Sequence, residues 1–314
     1  MRSRIRPEEV LLALYGLALV VIMAATHHFM LSNMMHKRFC FTFVVLALLV
    51  LWRGYRRSRR AEPELLRGEH LRRALPPAVR VVRDFFPFLV VLVFYETLHD
   101  LTPLIRHEVV DAQLIAVDRA LFGVDAAVWL DQFATPLLTQ IMVVCYLSYF
   151  FAPAILAALI YWSGQRQLFR DCLVSLSVVT FLGFSGYLIV PAVGPFVFQH
   201  ELFPNRLPGH GLQITELVIT TLDQMRGFAR DCFPSMHTAH TTVVLAFAWR
   251  FSRRVFFAYL PMALGLYVST MYLRMHYAVD VAAGFAVAAL AVWCGPRFER
   301  WWYRDAADPA MLAA

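Results

Sequence analysis

Apolar runs long enough to cross a membrane recur along this chain, and no other feature limits its fold so strongly. A span needs about 20 mostly apolar residues, and in lipid it must satisfy its own backbone hydrogen bonds, as a helix does. Eight such runs stand near residues 10–27, 38–53, 84–101, 137–162, 171–193, 236–250, 255–273 and 277–295, the second being the shortest. Of the 314 residues, 60% are hydrophobic and 16% charged, a more apolar and less charged balance than a soluble domain has. The expected fold is all-α, a polytopic membrane helical bundle of about eight transmembrane helices. Residues 1–83 are expected to form two N-terminal helices and a basic cytoplasmic loop, 84–295 a six-helix core, and 296–314 a cytoplasmic tail.

The net charge of +7 could suggest nucleic acid as a partner. The basic residues cluster in loops, however, as orientation signals do, so no nucleic-acid partner is expected. With eight alternating spans, 21 basic residues fall on one side and 8 on the other. This bias places both termini in the cytoplasm and the segments 106–131 and 196–235 on the opposite face. Arg2, Arg4 and Arg6 precede the first run, which is long and lacks a good cleavage site, so it is expected to stay as an anchor. Walker, dinucleotide and paired-cysteine metal motifs are absent from the sequence, as are repeats. Cys145, Cys172 and Cys294 lie in apolar runs as small apolar residues. Cys40 and Cys232 should share a face, which leaves a disulfide between them open. The segment LIAVDRALFGVDAAVWLDQF reads as a surface-lying amphipathic helix, with Asp118, Asp125 and Asp131 on its polar side.

Two polar constellations stand at the outer mouth of the bundle. The first is CFPSMHTAH, Cys232 to His240. Serine favours a helix start and proline its vicinity, so FPSMH reads as the entry to the sixth run, with His237 in the first turn. Free N–H groups there, aided by the helix dipole, suit an anion such as phosphate. Ser235 and Met236 belong to that cradle, and Arg226 and Arg230 stand just upstream. His240 reads as a packed histidine bonded to a neighbour, with support of the site as the alternative. The second constellation is YLRMHYAVDVAAG, Tyr272 to Gly284. His276 and Asp280 are four apart and share a face on a helix. A carboxylate so placed accepts the proton of one imidazole nitrogen and leaves the other as a nucleophile. An ionisable residue such as Asp280 inside an apolar run is a functional signal by default, and Arg274 stands at the same mouth. A nucleophilic His276, a proton-donating His237 and a phosphate cradle point to phosphoryl transfer.

These residues resemble the type 2 phosphatidate phosphatase superfamily of membrane lipid phosphatases and phosphotransferases. FPSMH is similar to that superfamily's P-S-G-H motif, with Met236 in place of glycine, and His276 and Asp280 match the end of its third motif. The arginine of that third motif falls on Thr270. The superfamily's lysine motif is missing, because Lys37 is the chain's single lysine, and PAVGP, Pro191 to Pro195, stands in its place. These departures look like the branch of the inositol phosphorylceramide synthases. The resemblance covers about residues 84–295. It implies that His237 is the general acid, that His276 attacks phosphorus and that Asp280 orients it. Arg230, Arg274 and Arg226, in that order, would replace the missing phosphate ligands.

The resulting reading is a metal-independent, cofactor-free membrane enzyme that transfers a phosphoryl-linked group from a phospholipid or lipid phosphate through a phosphohistidine, on the extracytoplasmic face. A lipid hydroxyl as acceptor makes it a head-group transferase, and water makes it a phosphatase. Two rivals predict other patterns. A lipid or ion transporter would spread polar residues through the depth of several spans. A zinc hydrolase would use His237, His276 and Asp280 as ligands and would lose activity to a chelator.

Overall fold

The computed structural model describes residues 5–27, 48, 51–64, 67–208, 213–225 and 230–304. It is helical, with no strand among the described residues. The helices are α1 (Pro7–Thr26), α2 (Arg67–Ile105), α3 (Asp111–Phe122), α4 (Ala126–Asp131), α5 (Pro136–Trp162), α6 (Arg166–Ile189), α7 (Gln213–Met225), α8 (Met236–Phe251), α9 (Arg253–Tyr272) and α10 (Ala278–Tyr303). Five of them, α1, α5, α6, α9 and α10, are long and apolar enough to cross a membrane. Most of the expected second run lies outside the described residues.

The chain divides into two compact units, Gly16–Thr97 and the combination of Met1–Tyr15 with Leu98–Ala314. In the first, residues 51–61 are helical and α2 begins at Arg67, well before the expected span at 84, so much of what reads as a basic loop is helix. Its apolar and small residues explain this. Gly54 lies close against Ala74, Ser58 bonds His70 at 3.0 Å, and Tyr55 meets the His70 ring edge-on at 5.6 Å. Arg56, Arg57, Arg72 and Arg73 are exposed.

In the second unit α8 is the central helix, packed against α5, α6, α9 and α10. Its side chains Val243, Val244, Phe247 and Ala248 are buried. This helix of 16 residues is not among the five candidate spans, and its buried Thr238, His240 and Thr241 are enclosed by protein, where polar groups cost less than they would facing lipid. At one end of α10 a buried ion cluster joins three segments. Arg170 of α6 binds Glu8 of α1 at 2.5 Å and Glu299 of α10 at 3.1 Å. The polar constellations lie at the other end of α10, where the loops converge.

The segment read as one amphipathic helix is two, α3 and α4, broken at Gly123, which adopts φ 74°. The expected polarity is also corrected. Asp111 and Asp118 are buried, whereas Leu121, Phe122 and Trp129 are exposed. The carboxylates turn inward because backbone N–H groups await them there.

Candidate active site

Three loops meet at the start of α10. The first is PAVGP. Val110 N–H donates to the Pro191 carbonyl, Cys232 N–H to that of Ala192, and Phe196 N–H to that of Arg274, all within 3.1 Å. Gly194 has φ 86°, and a Cβ there would lie 2.6 Å from the Met275 carbonyl. Only glycine fits this crossing. The second is the turn after α9, where Leu273, Arg274 and Met275 donate back to carbonyls of α9 and Arg274 takes φ 60°. Helices often close this way, but usually with glycine at the left-handed position. Here the Arg274 side chain secures the turn. Its guanidinium binds Asp131 at 2.5 and 3.0 Å and the Asn205 carbonyl at 3.0 Å, and lies 4.6 Å over the Phe203 ring. Arg274, expected as a phosphate ligand, is thus buried and committed to Asp131.

The third is the loop 230–235, which enters α8. Ser235 caps the helix, with Oγ 3.4 Å from the Thr238 amide, and its own N–H donates to the Asp280 carbonyl at 3.1 Å. That bond ties the start of α8 to α10. Gly284 allows this close approach, since a Cβ there would lie 2.6 Å from the Ser235 carbonyl. The Met236 side chain is buried against Gly183 of α6, so only its backbone remains to face a ligand. Arg230 donates to the Arg106 carbonyl. Arg226 and Cys40 lie outside the described residues.

These loops bring the predicted histidines together. His237 Nδ1 lies 3.2 Å from His276 Nε2, and His276 Nδ1 lies 3.3 Å from Asp280 Oδ2. An ionised carboxylate can only accept, so with Asp280 ionised the geometry fits a His276 that carries its proton at Nδ1 and turns the Nε2 lone pair toward His237 Nδ1. The two residues do not share a helix as the spacing suggests. His276 precedes α10, and Asp280, in its first turn, reaches back to accept the Tyr277 N–H at 2.8 Å, one half of a capping box. The His237 ring lies against Tyr146 and Tyr149 of α5, with centroids 4.7 and 4.4 Å away. His240 bonds Thr180 at 2.9 Å and Tyr149 at 3.3 Å, the packed role its position suggests.

Several residues at this site were not read from the sequence as site residues. Asp118 accepts from Ala278 and Val279 N–H at 2.8 and 2.7 Å, occupying the N-terminus of α10. Asp111 accepts from Val193 and Gly194 N–H and from the Tyr277 hydroxyl, at 3.1, 2.8 and 2.9 Å. Burial raises both carboxyls above the usual range, and the amide bonds pull them back. Cys232 is the third. Its thiol is 2.8 Å from Asp280 Oδ2 and 3.7 Å from His276 Nδ1. Burial and the Asp280 charge push the thiol well above its ordinary range, so it is a neutral S–H donor. Cys232, His276 and Asp280 are also the group among the described residues able to hold a metal ion, with donor atoms within 4.8 Å of one another. His237 is not part of it.

Residues 112–294, more than half the chain, match the family model of the PAP2 superfamily. The chain belongs to the PAP2 superfamily. All three facing groups, His237, His276 and Asp280, lie inside the matched span. The chain is also 26% identical over 156 residues to the phosphoinositol dihydroceramide synthase of Bacteroides thetaiotaomicron, covering 46% of this chain and 51% of that protein. It therefore spans about half the length of the curated relative it matches. No solved structure matches the chain.

Proposed function

We propose that this PAP2 member is an integral-membrane enzyme that transfers a phosphoryl-linked head group between lipids through a phosphohistidine on His276. One observation carries the reading: Asp280, His276 and His237 stand in series, with Nδ1 of His276 toward the carboxylate and Nε2 toward the second histidine. The substrate phosphate enters between the two rings. Nε2 of His276 attacks phosphorus, the bond to the leaving alkoxide breaks, and His237, which enters the step as the imidazolium beside the substrate's phosphate charge, gives that oxygen its proton and becomes neutral. Asp280 holds the Nδ1 proton and steadies the charge that grows on the ring. In the second step the acceptor hydroxyl loses its proton to His237 and attacks phosphorus, which frees His276.

The phosphate seat is the N-terminus of α8. The start of α10 already faces Asp118 and Asp280, whereas α8 begins with a neutral serine cap and lets its dipole act on an anion. Arg230 keeps donors beyond the one given to Arg106 and is the proposed charged ligand. The relative's name supports a lipid hydroxyl such as dihydroceramide as acceptor and phosphoinositol as the group moved. Water as acceptor gives a phosphatase.

The test is to incubate the purified chain with a panel of head-group-labelled phospholipids, with and without a ceramide-type hydroxyl lipid. Label appearing on the acceptor lipid, dependent on His276, is the expected result. Label released only to water makes the protein a phosphatase, and no turnover of any phospholipid overturns the reading.

A further inference from the structure

The thiol of Cys232 has no part in the chemistry above, yet it lies against the back of the nucleophile. Its distances define a small triangle: Sγ to Asp280 Oδ2 is 2.8 Å, Oδ2 to His276 Nδ1 is 3.3 Å, and Nδ1 to Sγ is 3.7 Å. Such a triangle lets one ion reach all three corners at about 2.0–2.3 Å, the usual zinc bond lengths to carboxylate, imidazole and thiolate. The second Asp280 oxygen, Oδ1, is buried with no hydrogen-bond partner, which gives the ion a further acceptor to face. All three side chains are buried. We propose that Cys232, His276 and Asp280 form an inhibitory site for one soft divalent cation, zinc or cadmium, built into the back of the catalytic histidine. The proposal rests on the phosphohistidine reading only for its effect on turnover. The site itself is independent of that reading.

The inhibition follows from proton balance. Metal binding replaces the thiol hydrogen, so one proton leaves as the thiolate forms. The ion also needs the Nδ1 lone pair, whereas the resting ring holds its hydrogen there, toward Asp280. That hydrogen moves to Nε2, and the imidazole stays neutral. Nε2, now an N–H, has no lone pair left to attack phosphorus. The ion thus disables the nucleophile by fixing the wrong tautomer, without standing between His276 and substrate.

The experiment uses the purified full chain, stripped with chelator, and titrates it with cadmium or zinc. Cadmium is expected to give a thiolate-to-metal charge-transfer band in the ultraviolet that saturates at one ion per chain. Zinc should reduce turnover over the same range, and chelator should restore it. In Cys232→Ser the band should disappear, and the inhibiting zinc concentration, measured against that variant's own metal-free turnover, should rise at least about tenfold, since even outer-shell losses cost 10–100-fold in affinity. If Cys232→Ser does not fold, cobalt added to the unaltered chain replaces it, with tetrahedral, thiolate-bearing absorption expected. An unchanged band in Cys232→Ser, octahedral cobalt without thiolate absorption, or zinc that leaves turnover unchanged or raises it overturns the proposal. A chain that binds cadmium through Cys232 but turns over no phospholipid overturns the enzymatic reading and leaves the site standing.

Discussion

At His276 and His237 the two rings have unequal tasks, because only His276 has a carboxylate behind it. His276→Ala removes the attacking nitrogen, so no phosphoenzyme forms with any substrate. His237→Ala removes the proton donor, a contribution of about 10²–10⁴-fold that shrinks as the leaving group improves. With an aryl phosphate, His237→Ala should therefore recover part of its activity while His276→Ala stays inactive. Acid-quenched trapping of an acid-labile, base-stable phosphoryl group measures this directly. Equal rescue of both variants, or trapping in His276→Ala, would refute the assignment. Asp280→Asn should fall between them, since the ring remains but its tautomer is no longer enforced.

Among the elements, the start of α10 matters most, because it carries Asp280 and adjoins His276, and its amides are held by a different helix. Asp118→Ala leaves the Ala278 and Val279 amides without their acceptor. Loss of a helix cap costs about 0.5–2 kcal/mol, and the displaced turn should lower kcat more than it alters KM. Asp118→Asn keeps an acceptor oxygen and should restore most of both. Thermal unfolding in detergent and steady-state kinetics check the pair, and equal loss in the two variants would count against the capping role. The contact between α8 and α10 offers an independent test. Gly284→Ala places a methyl group against the Ser235 carbonyl and Thr238. Overpacking of this kind costs about 1–3 kcal/mol, and here it should separate His237 from His276. A variant with wild-type turnover would mean that the spacing of the two helix starts does not matter.

For the whole molecule, the end opposite the site depends on the cluster of Arg170, Glu8 and Glu299. Removing one partner from a buried ion pair is strongly destabilising, about 3–5 kcal/mol. Arg170 keeps some exposure and a second partner, so Glu8→Ala should sit at or below the lower end. It should lower the unfolding temperature and leave KM unchanged, because the site is at the other end of α10. A raised KM with an unchanged melt would show the reverse coupling. Sidedness is the second test at this scale. The bias of 21 to 8 basic residues predicts that the exposed Glu201, near the PAVGP loop, faces away from the cytoplasm. Glu201→Cys should react with an impermeant thiol reagent on intact cells, relative to the unaltered chain. Labelling only after lysis would invert the topology.

The sequence by itself determined the helical membrane class, because spans of about 20 apolar residues leave few other ways to satisfy a backbone in lipid. It also singled out His237, His276 and Asp280, because ionisable groups beside apolar runs are costly and so rarely incidental. It could not show which way a carboxylate faces. Asp111 and Asp118 have the spacing of a polar helix face, and only the folded loops, with unpaired amides at PAVGP and at the start of α10, turn them inward. Arg274 is similar: nothing near it in sequence announces Asp131, which is 143 residues away. The Cys232 thiol lies 48 residues from Asp280, and no spacing rule connects them. Apolar period and motif spacing are local properties that a sequence displays. The partner of a buried charge is chosen by chain segments that meet only in the tertiary structure.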